Sequence, residues 1–460
     1  MDIAALDQKL DALAASYLPT ERLPCLSFAL IKRNDVVLRK ELGGPQQPIE
    51  AGLAEREEPA FMMMSCTKVV TAVAALQLLE QGLWSLEDPV SKFLPKFADL
   101  PGVLSQDATV EDPGELEALA SPLTMRMLLT HTSGLSYDIL STLTDGRPNP
   151  VAATYAAVNA APSLRAQADL IAGYPLVAQP GTTWNYSMGV DVMGACIEVM
   201  SGMEIDEYFS THIFEPLGMA STAFVQRLSP ELKARRKPQA IATTTRVPAN
   251  RFQDTRLPRL TKAVWYSPNL LSSYASRASV RLLVITEVKC FNVNLPAVMR
   301  LGKGFFAPDF DGPKMVERQG MHFGAALAPG GGLVSTLSDW VAFTQMLLGS
   351  GVGANGARLL KKSSVGLMAS DQIPESNRGP NMKLINGTAD DDAVYTQGLG
   401  VAVGTGSVKS FEWGGMTSTV FWIDRETGVG CVCLTQLMPS VIYPLRSQLK
   451  ALVYPQEGKL

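Results

Sequence analysis

Cys25-Leu26-Ser27-Phe28-Ala29-Leu30-Ile31-Lys32, then Arg33-Asn34-Asp35, then Val36-Val37-Leu38-Arg39-Lys40-Glu41-Leu42: two apolar runs on either side of a short polar turn predict a β-hairpin. The far end of the chain mirrors it. Ser407–Trp413, Thr417–Asp424 and Val429–Gln436 read as three strands, with Arg425-Glu426-Thr427-Gly428 as the turn between the last two. An amphipathic helix opens the chain at Met1–Leu10, and a second one closes it at Tyr443–Val453. Strands at both ends pair most simply into one antiparallel sheet, with the two terminal helices on one face. The expected class is α+β, an α/β sandwich in which residues 1–84 and 320–460 form the sheet domain. Residues 85–319 form an inserted, mainly helical lobe. Segment 271–310 carries the β-branched run Val280–Val288 and is left open between an extra strand, an insertion and a lid.

Composition narrows the class of function. The chain has 460 residues, 46% hydrophobic and 18% charged, as in an ordinary soluble globular protein. Net charge is −4 and no basic run stands out, which argues against a nucleic-acid partner. No run of about 20 apolar residues is present to span a bilayer. The early acids of the N-terminal segment do not suit a signal peptide, so a cytoplasmic location is expected. Asn386-Gly387-Thr388 matches a glycosylation sequon and is read as a turn. The six cysteines lie mostly in apolar runs with no Cys-x-x-Cys pair, so buried reduced thiols are expected. No metal-ligand spacing and no cofactor signature is present. Gly351-Val352-Gly353-Ala354-Asn355-Gly356 follows a helical run and reads as a loop between helices, not a dinucleotide fingerprint.

Between the hairpin and the middle of the chain lies Ser65-Cys66-Thr67-Lys68, at the head of the helical run Val69–Glu80. A serine hydroxyl needs a nearby base to become a nucleophile. Spacing of i to i+3 puts Ser65 and Lys68 on one helix face. The helix start adds unpaired N–H groups and the positive dipole end, which favour developing negative charge. The pattern recurs at Ser447–Lys450, where an ordinary exposed helix face is the expected reading. A Ser-His-Asp alternative lacks its Gly-x-Ser-x-Gly elbow, and the chain has only three histidines, His131, His212 and His322.

Three further stretches carry the argument: Leu128-Leu129-Thr130-His131-Thr132-Ser133-Gly134-Leu135-Ser136-Tyr137, Pro180-Gly181-Thr182-Thr183-Trp184-Asn185-Tyr186-Ser187-Met188-Gly189 and Glu412-Trp413-Gly414-Gly415-Met416-Thr417. With Ser65-x-x-Lys68, their order and spacing resemble the serine β-lactamase and penicillin-binding-protein superfamily, most closely its class-C-like esterases and the acyltransferase of the lovastatin pathway. Phe214–Met219 and Gly330–Thr336 also look like stretches common there. The resemblance implies a β-lactamase/transpeptidase-like fold. It implies Ser65 as nucleophile, with Lys68 and Tyr186 as its proton-handling partners, and the backbone N–H groups of Ser65 and Met416 as an oxyanion hole. Lysine's ordinary pKa of about 10.4 means that Lys68 acts as base only if desolvated or placed near another cation. Alternatively Lys68 stays charged and favours a phenolate base at Tyr186. Tyr137, Met188, Trp413, Gly414 and Gly415 would contact substrate, Trp413 being equally readable as a sheet-packing aromatic. His131 is read as structural, bonding backbone within its loop.

Two departures steer the substrate class. β-Lactamases usually have Asn where this chain has Met188, and Lys where it has Trp413. Two polar handles for a β-lactam are thus replaced by apolar ones, which favours esters or thioesters of hydrophobic acyl groups. The expected function is transfer of an acyl group from an ester, acyl-CoA or carrier-protein thioester donor to the alcohol of a hydrophobic small molecule. Carboxylesterase activity is the alternative. A β-lactamase, a D-Ala-D-Ala peptidase or a catalytically dead binding protein ranks below both.

Overall fold

The computed structural model describes residues 2–18, 23, 25–43, 58–105, 108–109, 114–137, 149, 151, 156–235, 240–241, 280–284, 289–293, 305–306, 327–378, 382, 395–405, 409–438, 440 and 443–454. Its centre is a seven-stranded antiparallel sheet built from both chain ends. The strands are β1 (Cys25–Lys32), β2 (Asp35–Gly43), β3 (Tyr395–Gln397), β4 (Ala402–Gly404), β5 (Ser410–Gly414), β6 (Val420–Asp424) and β7 (Val429–Leu434). Their spatial order is β3-β4-β5-β6-β7-β1-β2. The two ends meet where β1 pairs with β7, from Ser27 opposite Leu434 to Lys32 opposite Val429. Arg33 and Asn34 both have positive φ (50° and 79°), the backbone of a tight two-residue hairpin whose twist matches its strands.

Alternation along the strands sends side chains to two cores. Leu26, Phe28, Leu30, Trp422, Cys431 and Cys433 face the terminal helices, α1 (Ile3–Tyr17) and, at the C-terminus, Leu445–Val453, and pack with Leu6, Leu10, Leu445 and Leu449. Ala29, Ile31, Phe421, Ile423, Val432 and Leu434 face the main core. There they meet Trp340 and Phe343 of the helix Leu337–Leu348 and the helix α2 (Thr67–Glu80). Residues Thr67 to Leu76 of α2 are all buried, so this helix runs through the interior. A second, three-stranded antiparallel sheet joins Ala60–Met62, Leu333–Thr336 and Ala223–Phe224 in that order. It ties the approach to α2 to the stretch after Gly330-Gly331-Gly332.

The structure adds to or alters the sequence reading at three points. β3 and β4 add two short strands not read from the sequence. Lys450 is not on an ordinary exposed face: it bonds the buried carboxylate of Glu412, as does Arg446, and this links the C-terminal helix to β5. Its neighbour Ser447 only bonds the Pro444 carbonyl. Within segment 271–310, Val280–Val284 is a strand paired antiparallel with Lys289–Val293 and with Phe305–Phe306; the rest of that segment lies outside the described residues. So do His322, the sequon Asn386–Thr388 and the start of the strand expected from Ser407. Gly351–Gly356 is a loop between Leu337–Leu348 and the helix Lys362–Met368. Among the described residues, no helix is long and apolar enough to cross a membrane, and no cluster of three or more His, Cys, Asp or Glu could hold a metal ion.

Candidate active site

Ser65 lies in a single 3-10 turn, Met64–Cys66, that leads directly into α2. Met64 before it has φ +49°, a left-handed backbone that costs a non-glycine residue about 1–3 kcal/mol and marks a constrained turn. The Ser65 side chain makes no helix cap. Its Oγ instead accepts from the Tyr186 hydroxyl at 2.7 Å and from Lys68 Nζ at 3.4 Å. Lys68 is wholly buried, one turn on. Its Nζ donates to the Gly330 carbonyl at 2.6 Å and sits over the rings of Tyr186 and Tyr137, at 4.8 and 5.3 Å from their centroids. A buried ammonium needs such acceptors and π faces to replace water.

Tyr186 is held by two loops zipped together. Asn185 N–H donates to the His131 carbonyl at 2.7 Å, Asn185 Nδ2 to Leu135 O at 2.9 Å, and Met188 N–H to Ser136 O at 3.0 Å. His131 Nδ1 accepts from the Ser187 N–H at 3.3 Å. The histidine is thus structural, but it grips the tyrosine loop and not its own. Burial, reinforced by the charge of Lys68, pushes His131 well below its ordinary value, so it is neutral. Its ring packs on Tyr186 at 4.7 Å, and Tyr137 stacks on Tyr186 at 5.6 Å and 10°. Trp413 is buried, stacked on His131 at 6.1 Å and 6.2 Å from Tyr186. Met188 is buried in the main core just before α3 (Gly189–Ser201).

Gly415 shows why small residues follow Trp413. A Cβ there would lie 2.2 Å from Thr419 Oγ1 and 2.4 Å from the Met63 carbonyl, so only glycine lets this backbone reach the turn that carries Ser65. Gly414 is roomier: its nearest neighbours would be Thr419 O at 3.4 Å and Arg446 at 3.6 Å. Among the described residues, neither the Ser65 N–H nor the Met416 N–H donates a hydrogen bond. Cys66 is fully buried against Thr419 and the Trp413 carbonyl, and burial pushes its thiol up to about 12. It is a packing group beside Ser65, not a thiolate. Cys25, Cys196, Cys431 and Cys433 are likewise buried.

One neighbour was missed from sequence. Asp191, in the first turn of α3, is buried and accepts the Gly330 N–H at 2.9 Å. Burial raises it, while the charge of Lys68 and the Gly330 N–H act the other way. The signal was there: a lone acid inside the apolar run Gly189–Ile197, five residues after Tyr186.

Known proteins resemble this chain in sequence and in fold. Lovastatin esterase from Penicillium rubens is 33% identical over 202 residues, 43% of this chain and 46% of that protein. The matched part is therefore under half of either chain. Acyltransferase calJ from Penicillium decumbens is 27% identical over 402 residues, 84% of this chain and 77% of its own. The structure of the LovD6 mutant of simvastatin synthase (LovD) from Aspergillus terreus superposes with TM-score 0.66 at 19% identity, covering 98% of both chains, a likeness of fold. Residues 6–454 match the family model described as Beta-lactamase, and the chain belongs to that family.

Proposed function

We propose that this chain is an acyl-serine enzyme that moves an acyl group from an ester or thioester donor to the hydroxyl of a hydrophobic small molecule. The observation that carries the reading is Ser65 Oγ within 2.7 Å of the Tyr186 hydroxyl and 3.4 Å of Lys68 Nζ. In the first half-reaction Ser65 Oγ bonds to the donor's carbonyl carbon as its proton passes to the Tyr186–Lys68 pair. The oxyanion is met by the Ser65 and Met416 N–H groups, which have no other acceptor among the described residues. The leaving alkoxide or thiolate takes the proton. In the second half an alcohol gives its proton to the same pair as its oxygen bonds to the acyl carbon; the bond from that carbon to Ser65 Oγ breaks, and Oγ takes the proton back.

Tyr137 and the Trp413-Gly414-Gly415 strand end would flank the acyl group. The apolar residues at positions 188 and 413 favour donors without a carboxylate or amide handle. Hydrolysis of hydrophobic esters is the second reading, favoured by the likeness to lovastatin esterase. The two differ in whether water reaches the acyl-serine.

The test is intact-mass spectrometry after incubation with an activated short-chain ester or acyl thioester. An adduct on the wild type that is missing from Ser65→Ala supports the reading; no adduct, or an equal one on Ser65→Ala, sinks it. Adding alcohols of graded hydrophobicity and comparing transfer with hydrolysis separates transferase from esterase.

A further inference from the structure

Residues 329–333 form a strap between α2 and α3. Thr71 Oγ1 donates to the Pro329 carbonyl at 2.7 Å, Lys68 Nζ to the Gly330 carbonyl at 2.6 Å, and Leu333 N–H to Thr67 Oγ1 at 3.2 Å. On the α3 side, the Gly330 N–H donates to Asp191 Oδ1 at 2.9 Å. One peptide, Pro329–Gly330, is thus held at both ends, by the Thr71 hydroxyl and the Asp191 carboxylate, and each bond polarises the other. The next carbonyl points at Lys68. A Cβ at Gly330 would lie 2.3 Å from Asp191 Oδ2, so the strap approaches the acid as closely as a backbone can. Asp191 is 3% exposed, and its Oδ2 has no hydrogen-bond partner among the described residues. A half-satisfied buried carboxylate is costly unless a charge compensates it. Lys68, across Gly330, supplies that charge.

We propose that Asp191 is a positioning residue for acylation of Ser65: it fixes the Gly330 backbone whose carbonyl orients Lys68, and its carboxylate faces the charge of Lys68 across that peptide, which holds Lys68 and Tyr186 in place around the Ser65 hydroxyl. The inference rests on the acyl-serine reading above. The titratable groups facing this unit are Lys68 and Cys66 from the start of α2, His131 and Tyr137 from the loop beside it, and Tyr186 ahead of α3. His131 and Cys66 are neutral, and the charge of Lys68 opposes the rise that burial imposes on Asp191.

The test is the Asp191→Asn variant, which keeps the shape and an acceptor for the Gly330 N–H but removes the charge. The rate of Ser65 acylation by an activated ester is followed by mass across pH. The expected result is a rate lower by roughly 10-fold or more near neutral pH. Substrate affinity stays close to wild type. An unchanged rate and profile overturns the proposal.

Asp339→Asn removes another buried carboxyl, raised by burial to about 6 and bonded to Thr222 and Ser221 away from Lys68. It is expected to acylate normally; an equal loss there would mark a merely structural effect and overturn the assignment. If Asp191→Asn does not fold, Gly330→Ala, which forces strap and acid apart, is expected to show the same slowing, and normal acylation by it counts against the proposal. A wild type that forms no adduct defeats the acyl-serine reading itself, a result distinct from all of these.

Discussion

The Tyr186 hydroxyl reaches Ser65 Oγ at 2.7 Å, while Lys68 Nζ stands at 3.4 Å and spends its shorter bond, 2.6 Å, on the Gly330 carbonyl. The tyrosine hydroxyl is therefore the nearer of the two groups to Ser65, and in the proposed mechanism it is the first candidate for the serine proton. Tyr186→Phe keeps the ring contacts with Tyr137 and His131 and loses only the hydroxyl. Acylation of Ser65 is expected to fall by roughly 10²–10⁴-fold, with stability lowered by only about 1 kcal/mol. Stopped-flow acylation with a thermal melt checks both. A variant acylated at the wild-type rate would shift proton transfer to Lys68 alone.

Gly415 and Gly414 are adjacent but not equivalent. Gly415→Ala sets a methyl 2.2 Å from Thr419 Oγ1 and 2.4 Å from the Met63 carbonyl, so strand and nucleophile turn must separate. A loss of about 1–3 kcal/mol is expected, as for other overpacked sites, together with slower acylation. Gly414→Ala meets only ordinary contacts, 3.4 Å at the nearest, and is expected to stay within about 1 kcal/mol of wild type. Urea melts of the two variants side by side decide it; equal losses would refute the distinction.

The sheet was legible where alternation and turn chemistry agreed. β1 and β2 flank Arg33-Asn34, and β6 and β7 flank Arg425–Gly428, so both hairpins stand out. β3 and β4 are three residues each, too short for a period of two to register. Ser65, Lys68 and Tyr186 were legible through the order of motifs, not through periodicity, since Tyr186 comes 121 residues after Ser65. Asp191 and Glu412 were missed for one reason. Each is a single acid inside an apolar segment, and its cation lies elsewhere in the chain: Lys68 for the first, Arg446 and Lys450 for the second.

Cys66 invites misreading as the nucleophile. With its thiol pushed up to about 12 by burial, only about 1 in 10⁴ molecules carries the thiolate at pH 8. Iodoacetamide is expected to leave Cys66 unmodified in the folded protein and to label it once guanidinium is added. Cys66→Ala is expected to acylate at Ser65 normally, with a stability loss of about 1 kcal/mol from the vacated contacts with Thr419. Peptide mapping after labelling, with the acylation assay, tests this. Labelling of native Cys66 that abolishes acylation in step with modification would count against Ser65.

Glu412 should govern acid stability. Burial alone would raise its carboxyl, but Arg446 and Lys450 outweigh that and hold it at about 2 against an ordinary 4.5. The folded state therefore favours the ionised form. Its contribution is complete above the unfolded value near 4.5 and is lost as pH falls toward about 2. The shift corresponds to about 3 kcal/mol. Glu412→Gln removes that pH dependence and leaves two cations, Arg446 and Lys450, against a neutral amide. Removing one partner of a buried pair costs about 3–5 kcal/mol, so the variant is expected to be less stable at pH 7 by roughly that amount. It is also expected to lose less stability than wild type between pH 4.5 and pH 2.5. Because Glu412 precedes Trp413 on β5, the C-terminal helix should come away from the sheet first. Hydrogen exchange over Leu445–Val453 at descending pH measures this; protection there that outlasts protection of α2 would refute it.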